Sequence, residues 1–217
     1  MDKIVKIITI LCKATKDMPR TLSQVIAKKY DRDPFLLLMS CLLSLRAKDV
    51  TTIPIAIELF KLATTPREIL AIPITKLEKI IHTIGFYRKK AKLLHSVSRE
   101  ILDRFNGIVP DSSEELLSIN GVGIKTANLV LSEGFGIPAI CVDTHVHTIS
   151  NRLGLVVTKK PEDTEKALMA IFPKKYWSEL NNLFVLWGQN ICTPVSPFCS
   201  KCAIAKLCKR VGVAKSR

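Results

Sequence analysis

Apolar residues recur at spacings of three and four along most of the chain, as in Met39 to Phe60, Glu78 to Ile101 and Thr164 to Ile171. That period puts them on one face of an amphipathic helix, and no stretch alternates apolar with polar positions as a half-buried strand does. Breaks fall at Asp33-Pro34, Pro66, Pro73, Asn106-Gly107, Pro110, Gly134 to Pro138, Gly154, Pro161 and Pro173. Proline and glycine start or end helices, so the pattern predicts helices of about 8 to 20 residues joined by short loops. The fold class read from it is all-α, with no internal repeat, no low-complexity segment and no linker that marks a domain boundary. Phe35 to Leu45 (FLLLMSCLLSL) reads as a buried helix. It is far shorter than the about 20 apolar residues that cross a bilayer, so no membrane association is expected.

Composition narrows the class. A hydrophobic content of 47% with 24% charged residues excludes a disordered chain. The 33 Lys+Arg against 19 Asp+Glu leave a net charge of +14, which points to a polyanionic partner, nucleic acid ahead of a lipid surface. The N-terminal segment MDKIVKIITILCK carries Lys6 inside its apolar run and no small-residue cleavage site, so no signal peptide and a cytoplasmic, nucleoid-associated location are expected. Of the seven cysteines, Cys12, Cys41 and Cys141 sit alone in apolar segments and read as small core residues. An odd count without an export signal argues against a disulfide framework.

The other four form the run Cys192-x6-Cys199-x2-Cys202-x5-Cys208. Four soft ligands so close together signal a metal. Zinc ribbons show two Cys-x2-Cys knuckles, whereas this run has one close pair flanked by looser ligands. An iron–sulfur cluster, zinc and free thiols remain the alternatives at this point.

The segment Val109 to Ala127 carries the second signal. Ser112 with Glu115 makes a capping box that starts a short helix, which Asn120-Gly121 closes. Gly121-Val122-Gly123 then turns tightly into a helix running to about Leu131. Two glycines let a ligand approach the backbone, and N–H groups at the start of the second helix favour an anion such as a phosphate diester. The plainer reading is an ordinary helix-turn-helix corner with a glycine cap. Further on, Asp143 precedes a helical pattern ending at Gly154, which suits an N-cap. The Gly-Pro-containing segment between Lys125 and Asp143 lets the chain fold back, so that both residues face one cavity. His145 and His147 form an H-x-H pair whose offset is wrong for one helix face, and no metal role is expected of them.

The pattern LLxIxGVGxKTA, Leu116 to Ala127, resembles the helix-hairpin-helix of DNA repair glycosylases. Gly-Val-Gly-x-Lys followed by Val-Asp-Thr-His resembles the endonuclease III branch of that superfamily, and the cysteine spacing is that of its [4Fe-4S] motif. The resemblance runs from about Pro34 to Cys208. It implies a two-lobed fold, with a six-helix barrel carrying the hairpin at 27–137 and a cluster lobe made of 1–26 and 138–217, and DNA across the cleft between them. It implies a bifunctional glycosylase and AP lyase that removes oxidised pyrimidines from duplex DNA and acts on abasic sites. Lys125 matches the nucleophile and Asp143 its carboxylate partner, while Cys192, Cys199, Cys202 and Cys208 match the cluster ligands.

Cutting an N-glycosidic bond develops positive charge on the sugar, which a carboxylate stabilises. An amine attacking C1′ gives a Schiff base that permits strand scission by β-elimination. The resemblance also implies DNA contacts. Gly121, Val122 and Gly123 match the hairpin's phosphate site, and Arg46 and Phe86 match two loops that fill the gap left by an extruded base. Many relatives carry Gln in place of Arg46, and core packing is the plain alternative for Phe86. Arg88, Lys89, Lys90 and Lys92 read either as phosphate contacts or as a solvated helix face. The loop Thr193 to Phe198 lacks the basic residues typical of the family, which leaves Lys201, Lys206, Lys209 and Arg210 to take their place. An adenine-type mismatch glycosylase and a non-catalytic iron–sulfur DNA-binding protein are the competing readings. The first generally lacks a lysine at the position of Lys125 and carries an extra C-terminal domain, and the presence of both Lys125 and Asp143 argues against the second. A monomer is expected.

Overall fold

The computed structural model describes residues 3–217; Met1 and Asp2, at the head of the N-terminal segment read above, lie outside the described residues. Among the described residues helices form throughout and no strand does. The chain divides into two compact units, one continuous from Leu22 to Ile137, the other joining the residues up to Thr21 with Pro138–Arg217. The discontinuous unit begins with α1 (Lys3–Ala14). The continuous unit contains α2 (Leu22–Lys29), α3 (Pro34–Ser44), α4 (Asp49–Leu62), α5 (Pro66–Ala71), α6 (Ile74–Ile80), α7 (Tyr87–Phe105), α8 (Ser113–Ser118) and α9 (Ile124–Leu129). The chain then returns to the first unit with α10 (Thr144–Arg152), α11 (Pro161–Ile171), α12 (Trp177–Asn190) and the cysteine-rich segment.

Helix α3 is the axis of the continuous unit. Every residue from Phe35 to Leu43 is buried, with α2, α4, α7 and α9 packed around it. A helix apolar on all sides can exist in water only as a core element. Its start is local chemistry, since the Asp33 carboxylate accepts from the Leu36 N–H at 2.9 Å and Pro34 occupies the first turn, where its missing N–H costs nothing. Pro66 and Pro161 open α5 and α11 in the same way, the first behind a full capping box between Thr65 and Glu68.

In the discontinuous unit, Ile4, Ile7, Ile8 and Leu11 of α1 form a stripe at helical spacing. They join a core with Val146 and Ile149 of α10, Leu168 of α11, and Leu180, Phe184 and Trp187 of α12. Cys192, Cys202 and Cys208 pack against its edge.

Several expected elements are redrawn. Met39 to Phe60 is two helices, because α3 ends at Ser44 and Arg46 takes a left-handed backbone (φ 56°) before α4 begins. The Asp49 carboxylate is meanwhile drawn away to accept from the Leu22 N–H that opens α2. Glu78 to Ile101 likewise divides at Phe86, φ 61°. The hairpin's second helix ends at Leu129, and its last turn, Val130–Gly134, is π-helical, with the Phe135 N–H reaching back to the Val130 carbonyl. Cys12 is exposed rather than core, because it falls off the α1 stripe. The Ser112 capping box is incomplete. Ser112 accepts from the Glu115 N–H at 3.2 Å, but the Glu115 carboxylate takes the Ser112 hydroxyl proton at 2.7 Å instead of the cap's backbone N–H.

Candidate functional site

Helices α8 and α9 bracket the turn Ile119 to Gly123. Gly121 has φ +91°, open to glycine at no steric cost, and a Cβ there would meet the Leu93 side chain. Gly123 is different. Its backbone is extended (φ −95°, ψ 171°), and a Cβ would meet nothing within 4 Å, so the fold makes no demand for glycine there. Val122 is buried, and its N–H donates to the Ile119 carbonyl at 3.0 Å. Its side chain is the apolar anchor of the turn.

Helix α7 braces this corner from behind. The Glu100 carboxylate accepts the Asn120 N–H at 3.2 Å and pairs with Arg104 at 2.9 Å. Arg104 also donates to the Ser118 carbonyl at 3.0 Å. Lys125 is half-buried in the first turn of α9.

Asp143 belongs to the other unit. It is half-buried and caps α10, its carboxylate accepting from the Val146 N–H at 2.8 Å. His145 and His147 both have structural occupations in α10. His145 lies where a Cβ on Gly188 would collide with its ring, so glycine in α12 is what lets α10 approach. A ring nitrogen of His147 shares a hydrogen bond with the Thr164 hydroxyl at 2.7 Å.

Cys192, Cys199, Cys202 and Cys208 line one cavity of about 340 Å3, counting its open mouth, with Arg152, Ile191, Phe198, Ala205 and Arg210 among its walls. Among the described residues, no three Cys, His, Asp or Glu side chains converge as one metal ion requires. Four cysteine sulfurs on one cavity are the donor set that a cluster taking one cysteine per iron would use.

The polar surroundings fit an anionic cluster. Arg152 Nη1 donates to the Cys192 sulfur at 3.4 Å, and the Arg210 N–H donates to the Cys208 sulfur at 3.3 Å. The Trp187 indole N–H is buried without a well-formed hydrogen bond, and its pull on Cys202 favours the thiolate. Burial pushes the Cys192 and Cys202 thiols up, against Arg152 for the first and the Ile204 backbone N–H for the second.

Arg152 and Arg217 are residues that sequence reasoning missed. Arg152, buried at the end of α10, donates to the carbonyls of Thr193 at 2.8 Å and Pro194 at 2.6 Å, and so holds the loop after Cys192 from within. The guanidinium of Arg217 lies 3.8 Å from the Phe198 ring centre, and its main chain pairs with Pro197 and Ser200. The uncharged loop Thr193 to Phe198 therefore carries a cation brought from elsewhere in the sequence, a pairing no local pattern encodes.

Arg46 and Phe86 are both exposed, which ends the core-packing alternative for Phe86. Arg88, Lys89 and Lys92 are exposed, but Lys90 is buried. The signal was present, because Lys90 lies on the same helical stripe as Leu94, Val97 and Ile101.

Residues 39–174 match the model of the HhH-GPD superfamily base excision DNA repair proteins. The chain is 42% identical to endonuclease III of Thermotoga maritima over 88% of its own length and 92% of the relative's. It is 35% identical to endonuclease III of Escherichia coli K12 over 81% and 83%. Among solved structures, a non-covalent endonuclease III–DNA complex matches at TM-score 0.84, covering 97% of this chain and 96% of that one, at 35% identity. A trapped endonuclease III–DNA covalent intermediate matches at TM-score 0.83, at 35% identity with 97% of both chains covered. No described helix is long and apolar enough to cross a membrane. The chain belongs to the helix-hairpin-helix superfamily of base excision DNA repair proteins, in its endonuclease III branch.

Proposed function

We propose that the protein is a base excision repair enzyme, a DNA glycosylase and AP lyase that removes oxidised pyrimidines from duplex DNA and cuts the strand at the resulting or a pre-existing abasic site. The observation that carries this reading is Lys125 on the first turn behind the Gly121–Gly123 corner, in a chain that matches an endonuclease III trapped covalently on DNA. The Lys125 amine attacks C1′, the N-glycosidic bond breaks, and the base leaves. The Asp143 carboxylate stabilises the positive charge that develops on the sugar and accepts the proton that the amine must shed. Return of that proton to the ring oxygen O4′ lets the nitrogen lone pair expel it, which opens the sugar and leaves a protonated Schiff base. Removal of a C2′ proton then expels the 3′ phosphate by β-elimination, and hydrolysis of the imine frees Lys125.

Gly121 and Gly123 bring the backbone against a phosphate. The open space over Gly123 supports this, since nothing in the chain's own packing fills it. Arg46 and Phe86 fill the gap left by the extruded base. Cys192, Cys199, Cys202 and Cys208 hold a [4Fe-4S] cluster, which supplies four iron–sulfur bonds that cross-link the C-terminal segment.

Borohydride reduction on a duplex containing thymine glycol is the deciding experiment. A covalent protein–DNA adduct is expected, and Lys125→Gln abolishes it. Base release without an adduct in the unsubstituted protein overturns the lyase assignment.

A further inference from the structure

The two tips assigned above to gap filling share a backbone signature. Arg46 (φ 56°) and Phe86 (φ 61°) are non-glycine residues in the left-handed region, and Phe86 is 59% exposed. Such a conformation costs of order 1–3 kcal/mol and persists only where its surroundings over-determine it. An exposed phenyl ring recovers little of that through burial.

Lys90 touches both tips. Its backbone N–H donates to the Phe86 carbonyl at 3.0 Å, closing the first turn of α7. Its ammonium donates to the Leu43 carbonyl at 2.7 Å, in the last turn of α3, directly before the Arg46 tip. Leu43 O is one of the carbonyls that a helix end leaves without an intrahelical partner. The side chain is only 5% exposed. Helix α3 carries no charged residue, and the charges of α5 and α6 are Arg67, Glu68, Lys76, Glu78 and Lys79. Burial lowers the Lys90 pKa to about 8. A buried ammonium is expensive where a methionine would fill the same space without charge. Packing alone gives no reason for lysine at this position.

We propose that Lys90 is a positioning residue that ties the Arg46 tip to the Phe86 tip, so that the two enter a DNA duplex as one preformed wedge. The proposal rests on the glycosylase reading above. An enzyme that takes a base out of the stack must fill the vacated space, and a wedge ordered beforehand avoids an ordering cost on binding. An abasic site in single-stranded DNA has no stacked partner to displace and needs no wedge.

The test compares the full chain with Lys90→Met on two substrates, a duplex containing thymine glycol and a single strand containing an abasic site. On the duplex, kcat/KM falls by about 10- to 100-fold, the scale of a small misplacement near the chemistry. On the single strand the loss stays below about threefold, and Lys90→Arg, which keeps the donor, restores most duplex activity. In a Phe86→Ala background, Lys90→Met costs far less than in the unsubstituted protein, because coupled residues are non-additive.

Equal losses on both substrates, no loss on either, or additivity with Phe86→Ala overturns the wedge. If Lys90→Met melts below the assay temperature, Lys90→Leu, which likewise removes the donor, is compared at a temperature where it stays folded, with the same deciding outcomes. Unsubstituted protein inactive on both substrates removes the glycosylase reading and the wedge with it. An active protein whose Lys90 variants do not discriminate removes the wedge alone.

Discussion

Asp143 holds two assignments on one side chain. As an N-cap it accepts from the Val146 N–H, and as the proposed partner of Lys125 it must carry negative charge. Asparagine separates the two, since its amide oxygen caps as well as a carboxylate does but bears no charge. Asp143→Asn should keep the melting temperature within a few degrees while base excision drops by about 100-fold or more, the scale of removing one electrostatic stabiliser. A variant that loses stability and activity in proportion would show that the cap alone matters.

Lys90 makes a prediction of the opposite kind, about stability rather than rate. Its pKa is lowered to about 8 in the folded chain from the ordinary 10.5, so between those values the unfolded chain binds more protons and stability rises with pH. Below pH 8 the full cost of burying the charge is present. Above about 10.5 it is gone. The difference corresponds to at most ~3 kcal/mol. Denaturant titrations at pH 7 and pH 10 should therefore show Lys90→Met losing ground against the unsubstituted protein as pH rises. Parallel pH profiles for the two would sink this account.

At the scale of elements, much was legible because the causes are local. Pro34, Pro66 and Pro161 mark the first turns of α3, α5 and α11, and Gly154, φ +65°, follows the end of α10. The cysteines announce themselves because their spacing is short enough to be chemistry rather than topology. Lys125 and Asp143, by contrast, were found through the resemblance, since a lysine behind a turn and an aspartate before a helix are commonplace alone. The break between α3 and α4 contains neither glycine nor proline, and the contacts that brace it, from Leu22 of α2 and Lys90 of α7, lie outside any window on the sequence. Arg88 to Lys92 reads as a solvated face or as phosphate contacts only when taken as a charge run, because Lys90 falls on the apolar stripe of Leu94, Val97 and Ile101. The cysteine segment yields its own measurement. Purified protein should be brown, with iron and sulfide near about four each per chain, whereas a colourless protein with one zinc would contradict the cluster.

At the scale of the whole molecule, the +14 charge is placed against a polyanion. Exposed cations occur in both units, with Arg46, Arg88, Lys89 and Lys92 in one and Lys201, Lys206, Lys209 and Arg210 in the other. Each phosphate neutralised on duplex DNA adds about 0.9 to the slope of affinity against salt on logarithmic axes. With as few as three such contacts, a fourfold rise in salt weakens binding by about 40-fold. Binding isotherms from 50 to 200 mM salt check this, and a flat response would remove phosphate contacts as the source of affinity.

The path of the chain through its two units bears on how it is made. Helix α1 is translated before Leu22–Ile137, yet its partners α10, α11 and α12 are translated only after the whole of that unit. During that interval the continuous unit has everything it needs to fold, while Ile4, Ile7, Ile8 and Leu11 have no core to enter. Closing the discontinuous unit, and with it the cysteine cavity, therefore has to wait until the continuous unit has been synthesised. Until then α1 is a sticky apolar tether, and whatever the cysteine cavity takes up meets a chain whose hairpin unit has already had all of its own residues to fold with.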